Sequence, residues 1–345
     1  MIGILLLMAG LWGLGAVFGT ARRSRVLAMA VLWGAAGLCL AALPAGHPLR
    51  RILGEDLRVW AALTLLALLG LSYGALVSRL KLRAELTKPK PAPTPSFSPE
   101  ELNRYARHIM LREIGGPGQK ALKNARVLVI GAGGLGSPAL LYLAAAGVGC
   151  IGVMDGDVVD ASNLQRQIIH KDKGIGLAKV QSAREAILAL NPYVTVRPYQ
   201  RRFDEQTAAV LQDYDLVLDG SDNFDTRYLV NKMAAKAGVP LISAAITQWE
   251  GQISLYDPAH GTPCYECVFP DRPAPGLVPT CAEAGVAAPL PGVIGAMMAM
   301  EAVKHITRAG LTLRGRLLIH DALYAETRVI EITRRPDCAV CGMHP

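Results

Sequence analysis

Three long apolar runs open this chain of 345 residues, and the pattern changes completely after them. Residues 2–20, 26–46 and 59–78 carry no charged side chain. Each run is close to the ~20 residues a helix needs to cross a hydrocarbon core. Residues 1–84 are therefore expected to form a membrane anchor of three transmembrane helices. A buried hairpin in a soluble fold is the alternative reading. Arginine clusters between the runs argue against it, because they fall where loops would meet water. A secretory signal would begin on basic residues, and Met1–Leu7 has none.

Residues 85–99 break every periodicity. Pro89, Pro91, Pro93, Pro95 and Pro99 alternate with other residues there. Such spacing predicts an extended polyproline-type linker. Residues 100–345 then read as one large domain. Short β-branched runs at 126–130, 150–154 and 215–218 look like buried parallel strands, and the stretch 137–147 has helical composition. The expected fold class is α/β: a Rossmann-like, doubly wound, mostly parallel sheet.

Charge sharpens this division. The formal net charge of +8 suggests a nucleic-acid binder until it is counted by segment. Residues 1–98 hold 11 Lys and Arg against 3 Asp and Glu, whereas residues 99–345 hold 25 of each. All the excess lies beside the apolar runs, so no nucleic-acid partner is expected. Arg22, Arg23 and Arg25 follow the first run; Arg79, Lys81, Arg83, Lys88 and Lys90 follow the third. Arg50, Arg51 and Arg58 lie between the second and third, diluted by Glu55 and Asp56. The positive-inside rule then places 79–345 in the cytoplasm and the anchor in the inner membrane.

Candidate chemistry begins at the end of the 126–130 strand. Gly131-Ala-Gly133-Gly134-Leu-Gly136 follows it directly and precedes a helix. Gly131 permits a tight turn, Gly133 lets backbone approach a phosphate, and Gly136 allows close helix–strand packing, with Gly134 in the same cradle. Asp155 ends the next strand, where a carboxylate can accept from ribose hydroxyls. This pattern suits NAD or ATP. Asn163, Arg166 and Lys179 follow, and cations near such a loop suit a triphosphate better than a pyrophosphate. Taken singly, Arg166 and Lys179 could equally be solvated surface charges. Asp219 and Asp222 end the third strand, where Asp222 or Asp219 could hold Mg²⁺ on phosphates. Asp222 or Asn223 could instead cap the following helix.

Two CxxC pairs frame the C-terminal part: Cys264 with Cys267, and Cys338 with Cys341. Thiolates two residues apart can face one ion, and two such pairs are expected to build a closed, structural, four-cysteine zinc site. The remaining cysteines, Cys39, Cys150 and Cys281, form no disulfide framework, which fits a reducing compartment.

In order, the chain carries RYARHIMLREIGGPGQ (104–119), GAGGLG, NLQRQ (163–167), GLAKV, DGSDN (219–223), EGQI (250–253), PCYEC, TCAEAGV (280–286) and CAVC. These motifs resemble the MoeB/ThiF/HesA family of ubiquitin-activating-type adenylyltransferases, over 100–345 and not over 1–98. The resemblance implies MgATP-dependent adenylylation of the C-terminal glycine of a ubiquitin-like sulfur-carrier protein with a Gly-Gly tail. The carrier of molybdenum cofactor biosynthesis is the expected one, and the thiamine-pathway carrier is the alternative. It implies that Asp155 binds ribose, that Asn163, Arg166 and Lys179 contact phosphates, and that Asp222 binds Mg²⁺. It implies that Arg107 reaches into the partner's site of a homodimer, that the four paired cysteines bind zinc, and that Cys281 is a loop cysteine with an optional covalent role. Three apolar spans depart from a normally soluble family. No rhodanese-like sequence follows Cys341, so a separate protein is expected to donate sulfur. Rival readings from other classes are an NAD-dependent oxidoreductase and a non-catalytic membrane scaffold for a carrier.

Overall fold

The computed structural model describes all residues except 1, 45, 55, 87–95, 274–280 and 343–345. The expected proline-rich linker falls largely outside the described residues. The chain divides into two compact units, 1–94 and 95–345.

The first unit is helical: α1 (Ile2–Val17), α2 (Arg22–Ala42), α3 (Pro48–Leu53) and α4 (Leu57–Leu86). Its small core joins Ile4, Ala36, Leu40 and Trp60. The Trp33 and Trp60 rings lie 3.8 Å apart. Both indole N–H groups are satisfied, Trp33 donating to Thr64 Oγ1 at 3.0 Å and Trp60 to the Leu53 carbonyl at 3.1 Å. Most other large apolar side chains, including Leu6, Leu27, Leu38, Leu66 and Leu71, point outward. Among the described residues, two helical stretches are long and apolar enough to cross a membrane, Arg22–Ala42 and Pro48–Lys81. The expected count of three is therefore corrected to two. Helix α1 has 16 residues, a length of about 24 Å against a hydrocarbon core of ~30 Å. Past its end, Gly19 adopts φ +66°, and Thr20 Oγ1 donates back to the Gly15 carbonyl.

The second unit begins with α5 (Pro99–Ile109), started by a reciprocal cap. Ser98 Oγ accepts from the Glu101 N–H, and Glu101 Oε2 accepts from the Ser98 N–H. Then come α6 (Gly115–Asn124), β1 (Arg126–Ile130), α7 (Gly136–Ala146), β2 (Cys150–Met154), α8 (Lys179–Leu190) and β3 (Thr195–Tyr199). They are followed by β4 (Leu216–Asp219), α9 (Phe224–Ala237), β5 (Leu241–Ile246), β6 (Glu250–Tyr256), α10 (Tyr265–Val268) and α11 (Cys281–Ala284). The unit closes with α12 (Leu290–Thr307), β7 (Arg316–Asp321) and β8 (Glu326–Glu331).

One eight-stranded sheet runs in the order β3-β2-β1-β4-β5-β6-β7-β8. The first five are parallel, and β6 to β8 extend the sheet as antiparallel strands. Strand alternation divides the core between two faces. Val127 and Val129 pack with Leu140 and Leu143 of α7, Val180 of α8 and Ile294 of α12. Leu128 and Ile130 face the other way, toward Leu211, Tyr214 and Tyr228. Strand order reverses between β1 and β4, so a crevice opens at their carboxyl ends, where ligands of such sheets bind.

Candidate functional site

The glycine loop between β1 and α7 lies at that crevice. Gly131 has φ +92°, and a Cβ there would sit 2.9 Å from the Gly220 carbonyl oxygen. A Cβ on Gly136 would lie 1.9 Å from the Gly131 carbonyl. Side chains are thus excluded at both turns, and the amide-rich start of α7 approaches the crevice. Asp155, at the end of β2, fixes the loop from beside it. Its Oδ2 accepts from the Ala132 N–H and its Oδ1 from the Asp157 N–H, both at 2.8 Å.

The cations arrive on the segment after β2. A short turn at Ala161–Asn163 is capped by Asp160. It presents Asn163 Oδ1 to the Arg166 guanidinium at 2.8 Å, so these two side chains are oriented as a unit. Lys179 begins α8, is 5% exposed, and places Nζ 3.1 Å from Asp157 Oδ2.

The β4–α9 turn assigns different roles to its acids. Asp219 is fully buried; it accepts from the Ser221 N–H and from Ser243 Oγ, both at 2.9 Å. Its ion partner is buried Arg227, at 3.5 Å, which also donates to the carbonyls of Ser221 and Ala244. Asp219 is therefore a structural acid of the loop. Asn223 is the helix cap, accepting from the Thr226 N–H at 2.8 Å. Asp222 is exposed and accepts a long 3.4 Å bond from the Asn223 amide. Its carboxylate is the one left available to a cation.

Three buried polar atoms around this loop have no hydrogen-bond partner among the described residues: Gln167 Oε1, Ser137 Oγ and Ser221 Oγ. Ser137 lies in the first turn of α7, Ser221 follows the Gly220 carbonyl that abuts Gly131, and Gln167 lies against Gly133. Buried polar atoms are ordinarily satisfied, so orphans beside a glycine cradle and two cations fit a polar, anionic ligand such as a nucleotide.

A second cluster lies elsewhere in the unit. Sγ of Cys264 is 3.9 Å from that of Cys267 and 3.6 Å from that of Cys338, and Cys267 and Cys341 are 3.4 Å apart. All four are buried, with their sulfurs within 4.8 Å of one another. Tetrahedral Zn–S bonds of ~2.3 Å require sulfurs about 3.8 Å apart, so the set fits zinc. Asn231 donates to Cys264 Sγ at 3.7 Å, and the Arg335 N–H to Cys267 Sγ at 3.5 Å. Burial pushes the Cys264 thiol well above its usual range and Cys341 up to about 11. A dication would reverse that balance by favouring thiolates.

The ThiF family model matches residues 105–340. The chain belongs to the ThiF family. A ThiF-family relative, the probable adenylyltransferase/sulfurtransferase MoeZ of Mycobacterium tuberculosis, is 51% identical over 248 residues, 71% of this chain. The match spans 63% of that relative's length. The sulfur carrier protein adenylyltransferase of Thermus thermophilus is 48% identical over 72% of this chain and 94% of its own. Among solved structures, E. coli MccB with ATP has a TM-score of 0.60 at 25% identity, covering 72% of this chain and 77% of its own.

Not every residue expected from the ThiF-family motifs joins the crevice. Arg107 stands exposed on α5 and makes no ion pair among the described residues. Cys281 opens α11, whose far end is tied to the β5–β6 turn by Gln248, which donates to the Ala284 carbonyl at 3.1 Å. Other groups had no sequence signal of their own. His170 is buried and bonded to the glycine loop, yet a single histidine in a polar turn carries no periodicity. Arg227 lies on a helix face where a surface charge is the usual reading. Its task comes from buried partners: Asp219, 8 residues upstream, and the carbonyls of Ser221 and Ala244.

Proposed function

We propose that residues 95–345 form an ATP-dependent adenylyltransferase acting on the C-terminal carboxylate of a ubiquitin-like sulfur-carrier protein. The carrying observation is the union of a glycine cradle, the Asn163–Arg166 pair and buried Lys179 at the carboxyl ends of the parallel strands. The activity of the Thermus relative and the ATP of the E. coli MccB structure support the same reading.

In this reading, backbone N–H groups of Gly133 to Gly136 and the start of α7 hold phosphate oxygens. Asp155 accepts from ribose while keeping its bonds to the loop. The carrier's terminal carboxylate oxygen attacks the α-phosphorus, the bond to the bridging oxygen breaks, and pyrophosphate leaves with that electron pair. Arg166 and Lys179 stabilise the charge that builds on the phosphates. Asp222 would hold Mg²⁺, which supplies neutralisation of the phosphate oxygens when bound. The chain's main task is alignment of carboxylate and phosphorus.

Finer assignments follow the same proposal. The carrier is of the molybdopterin-synthase small-subunit type. Arg107, exposed on α5, serves the site of a second copy in a homodimer. Cys281 stands outside the adenylation step. The cysteine cluster holds one structural zinc ion. The N-terminal unit associates with a membrane, with Arg79 and Lys81 at the cytoplasmic face.

The test is carrier-dependent exchange of labelled pyrophosphate into ATP by the full chain in detergent, with Mg²⁺ and carriers ending in Gly-Gly. Exchange with at least one carrier, absent without it, is expected. No exchange with any of them sinks the proposal.

A further inference from the structure

His170 lies where the elements of the nucleotide site meet, and the adenylation step above gives it no role. Its side chain is buried. Nε2 is 2.8 Å from the Ala132 carbonyl oxygen and Nδ1 is 2.9 Å from Ser182 Oγ. A carbonyl oxygen only accepts, so Nε2 carries the proton and donates it. Nδ1 then accepts from the Ser182 hydroxyl. Both ring nitrogens are spent and the tautomer is determined by its partners. This ring has no free lone pair with which to act as a general base.

Its partners are the informative part. Ala132 is the second residue of the glycine cradle. Ser182 is on α8, one turn after Lys179. His170 itself follows Arg166 by one turn's worth of chain, and its N–H donates to the Gln167 carbonyl. A single ring thus ties together the phosphate cradle, the Arg166 segment and the Lys179 helix. The two peptide units flanking Ala132 are held from opposite directions: its N–H by Asp155 and its C=O by His170. With Asp155 also accepting from ribose, the bond from His170 holds the cradle from its second side.

We infer that His170 is a positioning residue for ATP, registering the glycine cradle against Arg166 and Lys179 through its bonds to Ala132 and Ser182. The inference rests on the adenylyltransferase reading, because it takes the ligand of the cradle to be ATP. It predicts a defect in nucleotide affinity rather than in turnover, since His170 touches no reacting atom.

The experiment uses the full chain in detergent and compares wild type, His170→Ala and His170→Gln. MgATP affinity is measured by calorimetry without carrier, and ATP KM and kcat by pyrophosphate exchange with carrier. His170→Ala is expected to weaken MgATP binding and raise ATP KM about ten-fold, while kcat at saturating ATP and the carrier's KM stay within about three-fold. His170→Gln keeps an N–H donor for Ala132 and is expected to recover most of the affinity. If His170→Ala binds MgATP like wild type, or if the glutamine loses as much as the alanine, the inference is overturned. Should His170→Ala fail to fold, Ser182→Ala decides: it removes the ring's tie to the Lys179 helix, and unchanged MgATP affinity there overturns the inference as well. Wild-type protein that binds no MgATP instead refutes the underlying adenylyltransferase reading, and that outcome is read before any variant.

Discussion

Lys179 and Asp157 form an ion pair at 3.1 Å in which the lysine side chain is buried and the aspartate is half-exposed. The asymmetry matters. Removing Lys179 takes a cation from the protein interior, whereas Asp157 is already partly screened by water. Arg202 also approaches Asp157, at 3.6 Å, so the aspartate has a second partner when phosphate draws the lysine away. Lys179→Met keeps the stem and deletes the charge. It should lower kcat/KM for pyrophosphate exchange by about 10²- to 10³-fold, the usual cost of losing one preorganised transition-state contact. Asp157→Asn should change it by less than about five-fold. Equal losses in the two variants would contradict a phosphate role for Lys179.

Asp222→Ala should abolish exchange while leaving the fold intact. The carboxylate is exposed and makes one long bond to Asn223, while the helix cap comes from Asn223 itself. Thermal unfolding should stay within about 2 °C of wild type, as for other exposed substitutions. A large fall in Tm would make Asp222 structural. Asp219→Asn provides the contrast. It leaves buried Arg227 without its counter-charge, and should destabilise by about 3–5 kcal/mol in urea titrations.

Metal analysis of purified protein should find one zinc per chain. The sulfur separations of 3.4 to 3.9 Å leave room for one ion. Stripping it with a strong chelator should lower Tm by on the order of 10 °C, since structural zinc contributes folding free energy directly. MgATP affinity should change little, because none of the residues proposed to contact the nucleotide belongs to that cluster. Protein that retains no metal after growth with zinc would refute the assignment.

Stability should also decline in mild acid. Burial lowers the pKa of His305, with Arg314 and His260 adding to the effect and Asp257 opposing it. Burial likewise lowers that of His170, where Lys179 adds and Asp155 and the Ala132 carbonyl oppose. The folded protein then binds fewer protons than the unfolded chain. This stability is fully present above the ordinary imidazole value of ~6.5 and is lost as pH falls through that value toward the depressed one. Tm should drop between about pH 7.5 and 5.5, and His305→Gln should flatten the drop. Equal slopes in the two proteins would rule out His305 as a contributor.

The elements legible in the sequence were those whose signal is local. The apolar run 126–130 is β1, residues 150–154 are β2, and the helix expected at 137–147 is α7, starting one residue earlier. The two CxxC pairs meet because each knuckle already points two thiols one way. The α1 count failed for a related reason: absence of charge sets an apolar run, but backbone turns at Gly19 and Thr20 set helix length. What stayed hidden depends on contacts distant in sequence. His170 meets a carbonyl 38 residues upstream, and Arg104 donates to one 86 residues downstream, at Leu190. No periodicity encodes such pairings. The antiparallel extension from β6 to β8 was equally silent, since β8 is exposed on both faces and shows no burial alternation.

One ion bound by all four sulfurs would close the region from Cys264 to Cys341 into a ring. Helices α11 and α12 and the β7–β8 hairpin all lie on that ring. Clipping the chain just before Cys338 would therefore do more than shorten it. It would cut that ring open and free the hairpin at one end, and loss of the cut fragment would leave Cys264 and Cys267 without the other two sulfurs.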